Sequence, residues 1–329
     1  MKDVILPVFV SHMGCPHQCV FCNQFKIAGA WEPPTFERLL RDALDWKASS
    51  GVTPELAFYG GSFTAIEEKL QLDLLLHAKV LKDQGFIHSI RLSTRPDALS
   101  DKTLVRLKAY SVDTIEIGMQ SLCDEVLLAS GRGHDAWTAK DAVRRVKEAG
   151  FKVGGQLMVG LPGDTPQRAI KSAVALIDLE PDFVRIYPTA VVRDTPLEAL
   201  YRSGQYVPWE MDVCLDVVAE MLMLFDGAAI PVIRIGLQAE DNLSQGDVVA
   251  GLYHPALGEM VKARVYRKKM KALLRKKEKD EIVFAVGERM LSQAIGQHRA
   301  NISYLEDKTG CKVSIMADKA IKGNAVERR

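Results

Sequence analysis

Strand-like runs alternate with helical periodicity from residue 4 to residue 188 of this 329-residue chain, and that alternation constrains its fold most. VILPVFVS (4–11), ELAFYG (55–60), SIRLSTR (89–95), TIEIGMQS (114–121), KVGGQLMVG (152–160) and DFVRIYP (182–188) are rich in β-branched and apolar residues and read as strands. Helical spacing fills 33–49, opened by Pro33 and Pro34 and closed near Gly51. It returns at about 66–85, about 101–110, on either side of Gly131, and at 165–179. Strands separated by helices predict parallel pairing and an α/β fold, either a doubly wound sheet or a partial (βα)6 TIM-like barrel. In both, functional residues gather where strands end and loops begin.

The strand ends carry the residues that rule expects. GGS follows the second strand, STRPD (93–97) the third, GMQS (118–121) ends the fourth, GLPGD (160–164) follows the fifth and YPT (187–189) the sixth. After the first comes CPHQCVFC, which sets Cys15, Cys19 and Cys22 in a CxxxCxxC spacing. Three thiolates so close in sequence suit an iron–sulfur cluster or a zinc ion, each of which ordinarily takes four protein ligands. The next cysteine is Cys123, so one coordination position is left open. A zinc site would be completed by His12 or His17.

Composition narrows the setting. A formal net charge of +1 argues against a polyanion binder as a whole, and the six cysteines lack the paired spacing of a disulfide framework, which predicts a reducing, cytoplasmic location. The N-terminal apolar run is too short to span a membrane.

The CxxxCxxC spacing, with Phe21 before the third cysteine, resembles the cluster motif of the radical S-adenosylmethionine (SAM) enzymes. The resemblance implies a partial barrel of that type and a [4Fe-4S] cluster on Cys15, Cys19 and Cys22. It also implies SAM on the open iron, cleaved to a 5′-deoxyadenosyl radical by an electron from a donor such as flavodoxin or ferredoxin. WEPPT (31–35), GGSFT (60–64), STRPD, IEIGMQSLCDEVL (115–127), the RGH of Arg132 to His134, and RIYPTAVVRDTPLEALYRSGQY (185–206) resemble more narrowly the radical domain of the catalytic subunit of the Elongator complex. No acyl-coenzyme A signature follows residue 240, so a relative without that subunit's acetyltransferase domain is expected. The resemblance implies tRNA modification, and places Phe21, Gly60, Gly61, Ser62, Thr64, Ser93, Thr94 and Arg95 at the cofactor. Gln120, Ser121 and Gln156 are expected at the barrel mouth, the two glutamines as cofactor contacts. Arg185 and Tyr187 share one strand face and are candidates for catalysis, as is His134, which with Arg132 could bind phosphate or move a proton. Each has a structural alternative: an Arg95–Asp97 ion pair, a core tyrosine, a solvated loop. Cys123, Cys214, Cys311, Met158 and the Met221–Met223 pair read as inert or core. Two other functions stay open: a small-molecule enzyme similar to the oxygen-independent coproporphyrinogen oxidases, and a non-catalytic zinc-dependent RNA-binding protein.

The tail differs in character. IRIGLQAEDNLSQG (233–246) offers one further strand and loop, and ten of the eighteen residues from Lys262 to Lys279 are basic. EIVFAVG (281–287), ERMLSQAI, GQHR (296–299), ANISYLEDKTG and CKVSIM (311–316) then read as strand, helix, turn, helix, strand. That order resembles a KH module, with Arg299 in place of the second loop glycine, and implies RNA contact through residues 262–316. The expected organisation is a core with its closing segment over 1–255, a basic helical linker over 256–280, a KH-like module over 281–318 and a frayed tail over 319–329.

Overall fold

The computed structural model describes residues 4–10, 15, 18–23, 32–237, 246–275 and 281–329. Its centre is a parallel sheet of β1 (Ile5–Phe9), β2 (Glu55–Tyr59), β3 (Ser89–Thr94), β4 (Thr114–Gln120), β5 (Lys152–Val159), β6 (Phe183–Pro188) and β8 (Val232–Ile235), paired in that order. The sheet is left open between β1 and β8 and forms a partial barrel with one strand more than the six expected from 4–188. The added strand lies where the sequence offered one, at 233–246; residues 238–245 of that stretch lie outside the described residues.

Helices α1 (Phe36–Ser50), α2 (Glu68–Asp83), α3 (Asp101–Ala109), α4 (Asp124–Ala129), α5 (Ala136–Glu148) and α6 (Pro166–Ile177) connect successive strands. Their starts follow capping chemistry: the side chains of Thr35, Ser100, Asp135 and Thr165 accept hydrogen bonds from the backbone N–H three residues on. Gly51 ends α1 in the left-handed conformation at φ 71°. Leu56, Phe58, Ile90, Leu92, Ile115, Ile117, Val184 and Ile186 point from the strands into this helical layer and are fully buried.

Between β6 and β8 the sequence suggested no element, yet the chain forms β7 (Ala190–Val192), α7 (Pro196–Arg202) and α8 (Met211–Gly227). Helix α8 is apolar on several faces because it packs against α6 on one side and α9 (Leu257–Ala272) on another, and that breadth hides its period. Strand β9 (Val248–Gly251) pairs antiparallel with β7 in a small separate sheet.

Helix α9 corrects the expected linker. Leu257, Val261 and Val265 join the barrel's core while Tyr266 and Met270 join the core of the C-terminal module, so the helix is packed on both sides. Its cations are largely engaged: Arg264 pairs with Asp212 and Asp216, Lys268 with Glu220, Lys262 with Glu259, and Arg267 donates to Asn301. The module comprises β10 (Glu281–Val286), α10 (Leu291–Ile295), a 3-10 turn at Gln297–Arg299, α11 (Ala300–Thr309), β11 (Lys312–Ala317) and β12 (Val326–Arg328). The tail is not frayed as expected: β12 pairs antiparallel with β10, and Ile321 is buried. Among the described residues no helix is long and apolar enough to cross a membrane.

Candidate active site at the open end of the partial barrel

Alternation along the strands turns a second set of side chains inward. Tyr59, Ser93, Glu116, Gly118, Gln156, Met158, Arg185, Tyr187 and Arg234 line a cavity of about 780 Å³, a volume suited to a cofactor-sized ligand. Below it runs a buried ion network. Arg91 donates from Nη1 to Glu116 Oε1 at 2.8 Å and meets Glu55 Oε2 through Nη2 at 2.7 Å. Arg185 donates from Nη2 to Glu116 Oε1 at 3.0 Å and to the Tyr59 hydroxyl at 2.7 Å; its Nε lies 2.8 Å from Glu116 Oε2, close enough for charge attraction but poorly aligned as a hydrogen bond. Tyr59 in turn donates to Glu116 Oε1 at 3.2 Å. Burial alone would lower the Arg185 pKa, but Glu116 and the flanking tyrosines outweigh it and hold the guanidinium above its ordinary value. Burial, then Glu116, push the Tyr59 phenol upward, so it remains a donor. Gly154 makes room for this floor: a Cβ there would sit 2.3 Å from the Phe183 ring, over which the Arg91 guanidinium stacks at 4.8 Å.

The cysteine loop crosses the open end. Val20 N–H donates to Ser130 O at 3.1 Å and Leu197 N–H to Val20 O at 2.8 Å, which ties the loop to the chain after α4 and to the start of α7. Val20 and Phe21 pack on Val191, Leu197 and Tyr206, and Phe21 also faces the cavity. Cys15 is exposed, Cys19 buried and Cys22 half-buried, and all three line the cavity. Among the described residues no three His, Cys, Asp or Glu side chains form a metal-binding group. The surroundings nonetheless suit an anionic sulfur-bound group. Arg132 Nη1 donates to Cys19 Sγ at 3.0 Å, and Arg95 Nη1 reaches the same sulfur at 3.8 Å. His12 and His17, the expected fourth ligands for zinc, lie outside the described residues, as does Trp31.

The structure sorts the remaining candidates. Gly60 and Gly61 line the cavity, and Gly60 has φ 104°, a conformation open to glycine. Ser93, Thr94 and Arg95 also line it. Arg95 forms the structural alternative as well, a two-point ion pair with Asp97 at 2.9 and 3.0 Å. Gln120 and Gln156 line it together, Gln156 Nε2 donating to Gln120 Oε1 at 3.1 Å. Gln120 holds φ 68° beside a register shift in β4, a bulge that aims its side chain inward.

Ser62 and Thr64 are buried, with hydroxyls 2.9 and 2.5 Å from Thr94 Oγ1, while the Ser62 backbone lies within hydrogen-bonding reach of Cys15. Ser121 turns to Ser172 on α6 at 3.2 Å rather than to the mouth. His134 also stands off the cavity wall. Its Nε2 is buried without a partner, and burial followed by the Arg132 charge pushes it down to about 4, leaving a neutral imidazole. Arg185 and Tyr187 do face the cavity, but Arg185 is held by Glu116 and Tyr59. Met158 is a wall residue rather than core, and Met223 is exposed although Met221 is buried. Cys214 is buried, its thiol pushed up to about 12, while Cys123 and Cys311 are half-buried. Sequence reasoning missed Tyr59, Glu55, Arg91, Glu116 and Arg234. Their available signal was charge at alternate positions within otherwise apolar strands.

Residues 10–174 match the family model of the radical SAM superfamily, and 181–267 match the radical SAM C-terminal domain. An uncharacterised protein of Methanocaldococcus jannaschii is 30% identical over 234 residues, covering 66% of this chain and 70% of that protein. The tRNA uridine(34) acetyltransferase of Methanocaldococcus infernus is 26% identical over 257 residues, covering 65% of this chain and 48% of the relative. The chain thus spans less than half the length of the Elongator-type relatives it matches. A solved structure of the archaeal Methanocaldococcus infernus Elp3, with an N-terminal deletion, superposes with a TM-score of 0.64 at 22% identity. It covers 83% of this chain and 64% of that one, and shows the same fold. With its partial barrel and three cavity-lining cysteines, the chain belongs to the radical SAM superfamily, as an enzyme whose family implies S-adenosylmethionine and an iron–sulfur cluster.

Proposed function

We propose that this enzyme holds a [4Fe-4S] cluster on Cys15, Cys19 and Cys22 and acts on tRNA. The observation that carries the reading is that three cysteines, Arg132 and Gly60, with its φ of 104°, all line one cavity. When bound, the cluster and SAM supply reductive cleavage and abstraction of a substrate hydrogen. The chain's own residues do the positioning. Arg132 and Arg95 direct N–H donors at Cys19 Sγ, where they would hold the sulfur in place and place positive charge beside a bound anionic group. Gly60 lets backbone approach the nucleoside, and the Gln120–Gln156 pair presents amide groups to it. Glu116 keeps Arg185 and Tyr59 in fixed orientations beneath the substrate.

The tRNA assignment is supported by the similarity to a tRNA uridine(34) acetyltransferase and by the C-terminal module. There the exposed His298 and Arg299 occupy successive left-handed positions after Gly296, a turn that could meet an RNA backbone in the manner of a KH module. A flavodoxin- or ferredoxin-like donor would supply the electron. The test is anaerobic reconstitution with iron and sulfide, reduction, addition of SAM and assay of 5′-deoxyadenosine. Formation that disappears in Cys19→Ala is expected; cleavage retained in that variant sinks the cluster assignment. Absence of salt-sensitive tRNA binding sinks the substrate assignment.

A further inference from the structure

We infer that Arg234 is the substrate anchor of the cavity, meeting an anionic oxygen that, on the tRNA reading above, is a phosphate of the nucleotide drawn into the barrel. The inference starts from the charges along the wall. Four arginines line the cavity. Arg95 is paired with Asp97, Arg132 donates to Cys19 Sγ and to Gly118 O, and Arg185 is paired with Glu116. Deeper down, Arg91 is matched by Glu55 and Glu116. Arg234 alone among these described cavity-lining arginines has neither carboxylate nor sulfur beside it; its Nε donates to Gly236 O at 3.3 Å.

The chain arranges this deliberately. Strand β8 pairs with β6 through Val184↔Val232 and then Arg185↔Arg234, which leaves Ile233 as an extra residue. Ile233 is 46% exposed, pushed outward by that shift. Without the bulge Arg185 would face Ile233, and Arg234 would turn with Ile186 toward the helical layer. The bulge therefore sets two arginines side by side on one wall, one neutralised and one open. A guanidinium whose Nη groups have no partner among the described residues, in a partly enclosed cavity, suits a phosphate or carboxylate oxygen pair. The neutralised Arg185 would contribute shape and fixed donors, whereas Arg234 would contribute net charge.

The test uses the full chain and a short uridine-containing single-stranded RNA, titrated over a series of salt concentrations, with thermal melts confirming that each variant is folded. Arg234→Gln is expected to weaken binding on the order of tenfold at low salt. It should flatten the plot of log affinity against log salt by about 0.7, the share of one phosphate contact on a single strand. Arg234→Lys should keep the slope while losing part of the affinity. An unchanged slope in Arg234→Gln overturns the inference. If the wild type binds no RNA but binds inorganic phosphate or citrate, and Arg234→Gln loses that binding, the anchor stands and the tRNA reading falls. If neither RNA nor the small anions bind, the anchor falls too.

Discussion

The two faces of the seven-stranded sheet are made by the same residues counted in alternation, and they solve opposite problems. The outward face places Leu56, Phe58, Ile90, Leu92, Ile115 and Ile117 against helices, all essentially inaccessible to water. The inward face places Glu55, Arg91, Glu116 and Arg185 at similar burial, and offsets the desolvation of each charge with an opposite charge and hydrogen bonds. Apolar packing is forgiving of detail, because any residue of suitable volume contributes. The ion network is not, because each member leaves another uncompensated when removed. The outer face therefore holds the fold together while the inner face specifies one arrangement of donors beneath the cavity.

The most severe way to break that contrast is Glu116→Ala. It leaves Arg91 and Arg185 buried near each other without their shared carboxylate, and breaking a buried pair in this way costs about 3–5 kcal/mol. Denaturant titration should show that loss. A cost below about 1 kcal/mol would mean that cavity water screens the arginines and that the inner face is no more demanding than the outer one.

Asp164 shows what happens to a half-buried carboxylate that has backbone donors and, in Arg168, only a minor opposing charge. Its oxygens accept from Gly160 N–H and Thr165 N–H at 2.8 Å each, yet burial outweighs them and pushes its pKa up to about 6 from 3.8. The folded chain then holds the proton more tightly than the unfolded one. The stability this provides is complete below about pH 4 and is lost as pH rises through about 6, a change on the order of 3 kcal/mol. His134 titrates in the opposite sense in an overlapping window, so the comparison must be between wild type and Asp164→Asn at each pH. Their stability difference should drift between pH 4 and 6.5 and be flat above. A flat difference throughout would show that Gly160, Thr165 and the charge of Arg168 suffice where Glu116 needs two buried arginines.

This division also explains what the sequence disclosed. The outward residues recur with period two inside runs bounded by glycine and turn residues, so the six strands from Ile5 to Pro188 could be located, most of them to within one or two residues. The cysteine triplet and Gly60-Gly61 were equally legible, because function there needs a spacing or the absence of a side chain. The inward charges were not. Glu116 in TIEIGMQ looks like a solvated strand residue until Arg91 and Arg185, 25 and 69 positions away, are brought to it. Nor did proximity to the double glycine hint that the Ser62 and Thr64 hydroxyls close on Thr94. Arg234 was hidden by a bulge, which shifts alternation by one residue and defeats any pattern based on it. Helix α9 read as a charged linker because its partners, Asp212, Asp216 and Glu220, sit on a helix that the sequence did not reveal.

The smallest effect comes from the residue next to Glu116. Ile117 points outward, is fully buried and belongs to the main apolar core. Ile117→Val removes one methylene and should cost about 0.5–1.5 kcal/mol, with the surrounding side chains closing part of the gap. A single step along β4 thus separates a substitution that threatens the fold from one that the fold absorbs. Combined with Glu116→Ala, the two costs should add to within about 0.5 kcal/mol, since the side chains stand on opposite faces and share no partner. A larger departure would show the faces to be coupled through the β4 backbone, whose register shift at Gly118–Gln120 lies just beyond both residues.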